Sequence, residues 1–205
     1  MMDACCDPKN TEVVIMSAAQ LGKSEALLNI IGYHIDNDPS PILMLQPSLD
    51  MAQSFSKDRV ANGLLASTPC LKDKVKSPRA RDSGNTTLHK TFPGGSITLV
   101  GANSPSGLAS RPVRLVLCDE VDRYPTSAGS EGDPIQLARK RASTFWNRRI
   151  VMVSTPTNKG ASRIEDAFDK SDQRRYYVPC QHCGHEQTLR WANVQWVDSN
   201  PDTAQ

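Results

Sequence analysis

The chain has 205 residues, 38% of them hydrophobic and 22% charged, with a formal net charge of +2. That is ordinary for a globular protein with room for one sizeable domain and a small appendage. No apolar run approaches the roughly 20 residues of a membrane span, and residues 1–7 lack the basic stretch and apolar core of a signal peptide.

Glu12–Met16 (EVVIM) is a short β-branched run and predicts a buried strand. Residues 17–24 follow as a loop, and residues 25–33 read as a helix with apolar residues on most sides. Pro41–Gln46 predicts a second buried strand. Residues 49–65 have helical spacing broken at Gly63, and residues 66–85 read as irregular surface. Residues 86–92 and 96–101 alternate on either side of Pro93-Gly94-Gly95, which predicts a β-hairpin. Residues 101–112 read as loop, and residues 113–118 as a third buried strand that delivers Asp119 and Glu120. A turn-rich loop at 123–133 leads to a helix at 134–146 with proline in its first turn. Residues 150–154 form a fourth buried strand, and 161–170 a short helix.

Apolar strands alternating with helices predict an α/β fold, a mainly parallel sheet with helices on both faces. After Arg175 the texture changes to Cys180-Gln181-His182-Cys183-Gly184-His185, then Trp191 and Trp196. Two domains are therefore expected, 1–175 and 176–205. Six cysteines, two of them adjacent at Cys5 and Cys6, do not form a disulfide framework, so reduced thiols in a cytoplasm are expected. Basic residues cluster at Lys72, Lys74, Lys76, Arg79 and Arg81, at Arg139, Lys140 and Arg141, and at Arg148 and Arg149. Each cluster is either a solvated face or a surface for a phosphate backbone.

The segment Ser17-Ala18-Ala19-Gln20-Leu21-Gly22-Lys23-Ser24 fits the phosphate-loop pattern G-x-x-x-x-G-K-[ST], with Ser17 in place of the first glycine. It sits between a predicted strand and a predicted helix, as that chemistry requires. Backbone N–H groups of residues 17–24 would wrap phosphates, with the helix N-terminus adding partial positive charge. Lys23 would reach the β- and γ-phosphates, and the Ser24 hydroxyl would ligate Mg²⁺. A hard cation also needs a carboxylate, which Asp119 offers at a strand end. Glu120, next to it, is placed to polarise the attacking water. Asp122 and Arg123 are read as orienting this loop. Ser154 and Thr155 end another buried strand and are candidates to sense the γ-phosphate and pass movement onward, or else form a plain strand exit.

Taken in order, SAAQLGKSE, LVLCDEVDRYP and VMVSTPT resemble the large terminase subunit of tailed bacteriophages, in its lambda-like GpA-type group. The resemblance extends over nearly the whole chain. It takes in Met2-Asp3 with Asp7-Pro8, Pro93-Gly94-Gly95-Ser96, residues 106–111 (SGLASR) and Cys180-x-x-Cys183-Gly184-His185-Glu186.

The resemblance implies an additional-strand P-loop ATPase that uses ATP and Mg²⁺ to drive double-stranded DNA into a procapsid. It implies a homo-oligomeric ring docked on the portal protein in the host cytoplasm, away from membranes and guided by a small terminase subunit. It implies roles for Lys23 and Ser24 in nucleotide binding, Asp119 in Mg²⁺ binding, Glu120 in catalysis, and Ser154 and Thr155 in coupling. Terminases often carry an arginine in the phosphate loop, where this chain has Ala18-Ala19-Gln20-Leu21. The stabilising charge is then expected from Arg111, Arg79 or Arg81, acting on a neighbour's ATP. The chain is expected to be a fragment, lacking an upstream adenine-binding segment and a C-terminal nuclease domain, and so without nuclease activity of its own.

Cys180 and Cys183, with Gly184, have the spacing of half a zinc knuckle, and a structural zinc site needs four ligands. Zn²⁺ is expected in the intact protein, with a redox Cys-x-x-Cys as the alternative reading. Two other functions compete with the packaging motor: a helicase-type ATPase, and a non-enzymatic zinc-ribbon binder of nucleic acid. No second motor domain fits in 205 residues, which disfavours the helicase.

Overall fold

The apolar runs build one sheet. The strands are β1 (Glu12–Met16), β2 (Pro41–Gln46), β3 (His89–Phe92), β4 (Gly95–Gly101), β5 (Leu115–Asp119) and β6 (Arg149–Ser154). Their spatial order is β1-β6-β5-β2-β4-β3, parallel throughout except for the antiparallel edge strand β3. The computed structural model describes residues 2–76, 84–109, 111–190, 193–197, 199, 200 and 202. Residues 1–171 and 172–205 form two separate units.

Strands buried on both faces need helices on both faces. On one side lie α1 (Met2–Cys6), α2 (Lys23–Asp36), α3 (Leu49–Ser54), a π-helical segment (Phe55–Leu65) and α4 (Pro69–Lys74). On the other lie α5 (Pro105–Ala109), α6 (Pro134–Ala142) and α7 (Arg163–Asp169). Side chains alternate between these cores with the period of a strand. Ile42, Met44, Leu115, Leu117, Val151 and Val153 face the first, and Leu43, Leu45, Val116, Cys118, Ile150 and Met152 the second.

The elements depart from the sequence reading at five places. Glu12–Met16, expected to be buried, is an edge strand in which only Ile15 is buried, because a single neighbour, β6, covers it within the sheet. Gly63 does not break the helix, because the chain widens into π-helical pitch and runs on to Leu65. Residues 66–85 contain α4, started by Pro69 and held by buried Leu71. Residues 101–112 contain α5, pinned by buried Leu108. The helix expected at 134–146 stops at Ala142, the last of its residues that the core buries, and Trp146 beyond it is 87% exposed. No helix among the described residues is long and apolar enough to cross a membrane.

Candidate functional site

Parallel pairing brings distant strand ends to one edge. Met16 of β1 lies opposite Ser154 of β6, and Val153 lies opposite Asp119 of β5. The β6 strand therefore separates the strand leading into the Gly-Lys-Ser loop from the strand carrying the acidic pair. The Ser17 N–H donates to the Ser154 carbonyl at 3.3 Å, continuing the β1–β6 ladder into the loop. Left-handed backbone falls instead at Gln20 (φ 62°) and Gly22 (φ 81°). Serine in the first glycine position thus meets no demand for positive φ, whereas Gly22 fills one. The α2 helix starts directly after Gly22, with the N–H of Ala26 bonded to its carbonyl.

Lys23 is 6% exposed. Its Nζ donates to the Ala18 carbonyl and to Thr155 Oγ1, each at 2.8 Å. The Ser24 hydroxyl lies 3.4 Å from Asp119 Oδ2, which also accepts from Gln46 Nε2 at 3.1 Å. Asp119 Oδ1 is buried and, among the described residues, has no hydrogen-bond partner. Burial, and next the neighbouring Glu120 charge, push the Asp119 carboxyl above its ordinary range, against hydrogen bonds from Gln46 and Ser24 and the charge of Lys23. An orphaned carboxylate oxygen beside a serine hydroxyl fits a hard divalent cation that takes its remaining ligands from phosphate and water. Mg²⁺ is such a cation.

Glu120 adopts left-handed angles (φ 54°, ψ 50°), costing an L-residue roughly 1–2 kcal/mol. It lines a cleft of about 220 Å³ together with Gly22, Lys23, Ser24 and Arg59. Its Oε2 is 3.6 Å from Arg123 Nε. Asp122, one residue on, is tied the other way. Its N–H donates to Ser154 Oγ at 3.3 Å, and its carboxylate accepts from Thr157 N–H (2.9 Å), Thr157 Oγ1 (3.0 Å) and Ile164 N–H (2.8 Å). Burial pushes that carboxyl up, but hydrogen bonds from Ser162, Ile164 and Thr157 outweigh it and hold the group below its usual range. Asp122 thus joins the acidic turn to the loop after β6 and to the start of α7.

Of the candidate arginines, Arg111 is exposed, and its charge acts on His89 in β3, at the opposite edge of the sheet from β1. Arg79, Arg81 and also Trp191 lie outside the described residues. In the basic run on α6, Arg139 pairs with Glu12, and Arg141 Nε donates to the Leu108 carbonyl at 2.9 Å. Those two charges serve the fold. A larger cavity of about 380 Å³, walled by His34, Arg114, Trp146 and Arg149, is lined by none of residues 17–24, Asp119, Glu120, Ser154 or Thr155.

In the second unit, β7 (Val178–Pro179) and β8 (Glu186–Gln187) form a two-stranded ribbon. The turn between them is closed by Cys180 N–H to the His185 carbonyl and Gly184 N–H to the Cys180 carbonyl, both 2.9 Å. Gly184 supplies the positive φ of 71°. Backbone hydrogen bonds, from Cys183 first and His182 next, hold the Cys180 thiol below its ordinary range. Among the described residues, no group of three or more His, Cys, Asp or Glu side chains is arranged to hold a metal ion.

Two residues escaped the sequence reading: Gln46, buried against Asp119, and Arg59, on the wall of the cleft. Gln46 was legible in principle, as the one polar residue of Pro41–Gln46, at its carboxyl end. Arg59 carried no signal, because a charged residue within a helix is unremarkable.

A strand, loop and helix, an acidic end two strands away, and a hydroxyl-bearing strand between them define the additional-strand P-loop class of α/β fold. The family described as phage terminase large subunit gpA, ATPase domain, matches residues 1–205, and the chain belongs to it. It is 28% identical over 200 residues to the terminase large subunit of Enterobacteria phage P21, and 26% identical over 201 residues to that of Escherichia phage lambda. These alignments take in 93% and 94% of the chain but only 31% of each relative's length. Among solved structures, the large terminase ATPase domain of Thermus phage P74-26 shares the fold, with TM-score 0.62 and 19% identity over 92% of this chain and 76% of that one.

Proposed function

We propose that this chain is the ATP-hydrolysing motor part of a terminase large subunit that drives double-stranded DNA into a procapsid. The observation that carries this reading is the meeting of Lys23, Ser24, Asp119 and Thr155 at one edge of the sheet, with Glu120 on the wall of the same cleft. In it, the backbone of residues 17–24 and Lys23 bind the phosphates. Ser24 and Asp119 hold Mg²⁺, which screens phosphate charge when bound. Glu120 accepts a proton from the attacking water.

Lys23 donates to Thr155 as well as to the loop, so a change in its phosphate contacts is felt at the end of β6. From there Ser154 reaches Asp122, and Asp122 reaches Thr157 and Ile164. Hydrolysis is thereby linked to movement of the loop after β6 and of α7. The expected assembly is a ring of copies on the portal protein, in the host cytoplasm, with a small terminase subunit selecting the DNA. Cys180 and Cys183 supply two thiolates toward Zn²⁺ in the intact protein, and nuclease activity resides elsewhere in it.

The test is packaging of duplex DNA into purified procapsids by the full-length protein, beside a strand-separation assay. ATP-dependent protection of duplex DNA from external nuclease, lost in Glu120→Gln, is expected. Strand separation without protection favours the helicase, and ATP-independent binding alone favours the nucleic-acid binder.

A further inference from the structure

One wall of the cleft belongs to no motif. Arg59, in the π-helical segment Phe55–Leu65, lines the same cleft as Lys23, Ser24 and Glu120. Its guanidinium pairs with Glu25 in the first turn of α2. The two side chains are 46% and 61% exposed, so the pair lies at the solvent side of the cleft and contributes little as a strut. Such a pair changes partner at low cost. A guanidinium presents a planar fork of donors that matches phosphate oxygens bidentately, and a γ-phosphate carries more charge than one carboxylate.

The backbone beneath Arg59 is better fixed than its side chain. Lys90 of β3, 3% exposed, donates to Ser56 Oγ at 2.7 Å and to the Thr87 carbonyl at 2.9 Å. Ser56 itself donates to the Thr87 carbonyl, and Phe55 and Val60 are buried in the core. Helical stretches of π pitch recur at functional sites. Residues 17–22 include no cation, leaving Lys23 as the loop's single positive charge.

We propose that Arg59 is a catalytic residue acting within its own chain: its guanidinium leaves Glu25 and binds the oxygens of the transferring γ-phosphoryl group. In that step the water oxygen bonds to the γ-phosphorus, and the bond to the β–γ bridging oxygen breaks with its electron pair leaving on ADP. The water's proton passes to Glu120. Arg59 neutralises the charge that spreads over the equatorial oxygens. The inference rests on the ATPase reading and adds to it the identity of the stabilising cation.

The test compares full-chain wild type, Glu120→Gln, Arg59→Ala, Arg59→Lys and Glu25→Gln. Mg²⁺-dependent ATP hydrolysis is measured alongside affinity for ATP and for ADP with aluminium fluoride, read by a fluorescent nucleotide. Arg59→Ala is expected to lower kcat by about 10³-fold, while ATP affinity changes by less than about tenfold, the behaviour of a contact made mainly in the transition state. The preference for the fluoroaluminate complex is lost with it. Arg59→Lys recovers little, since an ammonium lacks the fork. Glu25→Gln breaks the same pair and keeps that preference, whereas a mere strut loses function from either side. A wild-type rate in Arg59→Ala, equal loss of ATP and fluoroaluminate affinity, or the same loss in Glu25→Gln overturns the inference. Equal hydrolysis by wild type and Glu120→Gln instead overturns the ATPase reading, and Arg59's role falls with it.

Discussion

The phosphate loop and the Cys-x-x-Cys turn are both short motifs with chemically pointed residues, yet they are supported differently. Lys23 meets Thr155 across 132 residues of sequence, and Ser24 meets Asp119 across 95. Those meetings occur at the ends of parallel strands, with Asp119 closing the buried strand β5 and Thr155 directly following the buried strand β6, where the backbone has little freedom. The cysteine turn has two backbone hydrogen bonds and two strands of two residues each. Within the described residues it gathers no third or fourth metal ligand. A motif fixes its own local backbone in both cases. Chemistry also needs partners from elsewhere in the chain, and among the described residues only the phosphate loop has them.

Substitutions at the two motifs separate these cases, and the largest effect is expected at Lys23. Lys23→Ala should lower phosphate release by about 10³-fold or more, as loss of a main charge-stabilising donor does. Its urea unfolding midpoint should stay close to wild type. A collapse of the fold would instead show that the bonds to Ala18 and Thr155 are structural.

Next comes Asp122→Ala, which leaves the Thr157 and Ile164 N–H groups without their acceptor. A loss of about 1 kcal/mol in urea denaturation is expected, mainly from stranding the part-buried Ile164 donor, together with slower turnover. An unchanged midpoint would break the link drawn from the acidic turn to α7.

Asp119→Asn should move stability the other way. The carboxyl is raised in the fold above its ordinary value of 3.8, so its ionised form is disfavoured by folding. For an acid raised in this way, the cost is absent below the unfolded pKa, grows as pH rises toward the folded one, and is complete above it. Asparagine cannot ionise. In Mg²⁺-free buffer near pH 8 the variant should therefore be more stable, by about 1 kcal/mol, with the gain vanishing in acid. It should hydrolyse no ATP. Equal melting curves at both pH values would contradict the burial argument.

The smallest effect is expected at the other motif. Cys180→Ser with Cys183→Ser should alter the unfolding of residues 1–171 by no more than about 0.5 kcal/mol, as exposed substitutions do. A larger shift in thermal denaturation would mean the cysteine turn supports the main unit.

Much of this was legible in sequence because apolar β-branched runs and strand-end polar residues report directly on burial. EVVIM, PILMLQ, RLVLC and IVMVS mark four of the five parallel strands, and the polar residues at the carboxyl ends of β2, β5 and β6 mark the working edge. Strand order was less accessible. It depends on which helix covers which face, and periodicity within one segment does not carry that. The π-helical run was hidden because Gly63 looks like a break, while the wider pitch absorbs it. Arg59 was hidden for a related reason: its place beside Glu25 comes from the packing of two helices. Ser17 looks like a weakness in the motif, but the residue whose backbone needs glycine is Gly22.

Lys23, Ser24, Asp119 and Glu120 are proposed to form one site that hydrolyses ATP. The most direct measurement is phosphate release by wild type and Glu120→Gln under saturating ATP and Mg²⁺, with ATP binding measured on the same samples. Equal binding with hydrolysis reduced by at least about 10²-fold in Glu120→Gln is expected for a lost general base. Equal hydrolysis by the two proteins, or no ATP binding by either, would contradict it.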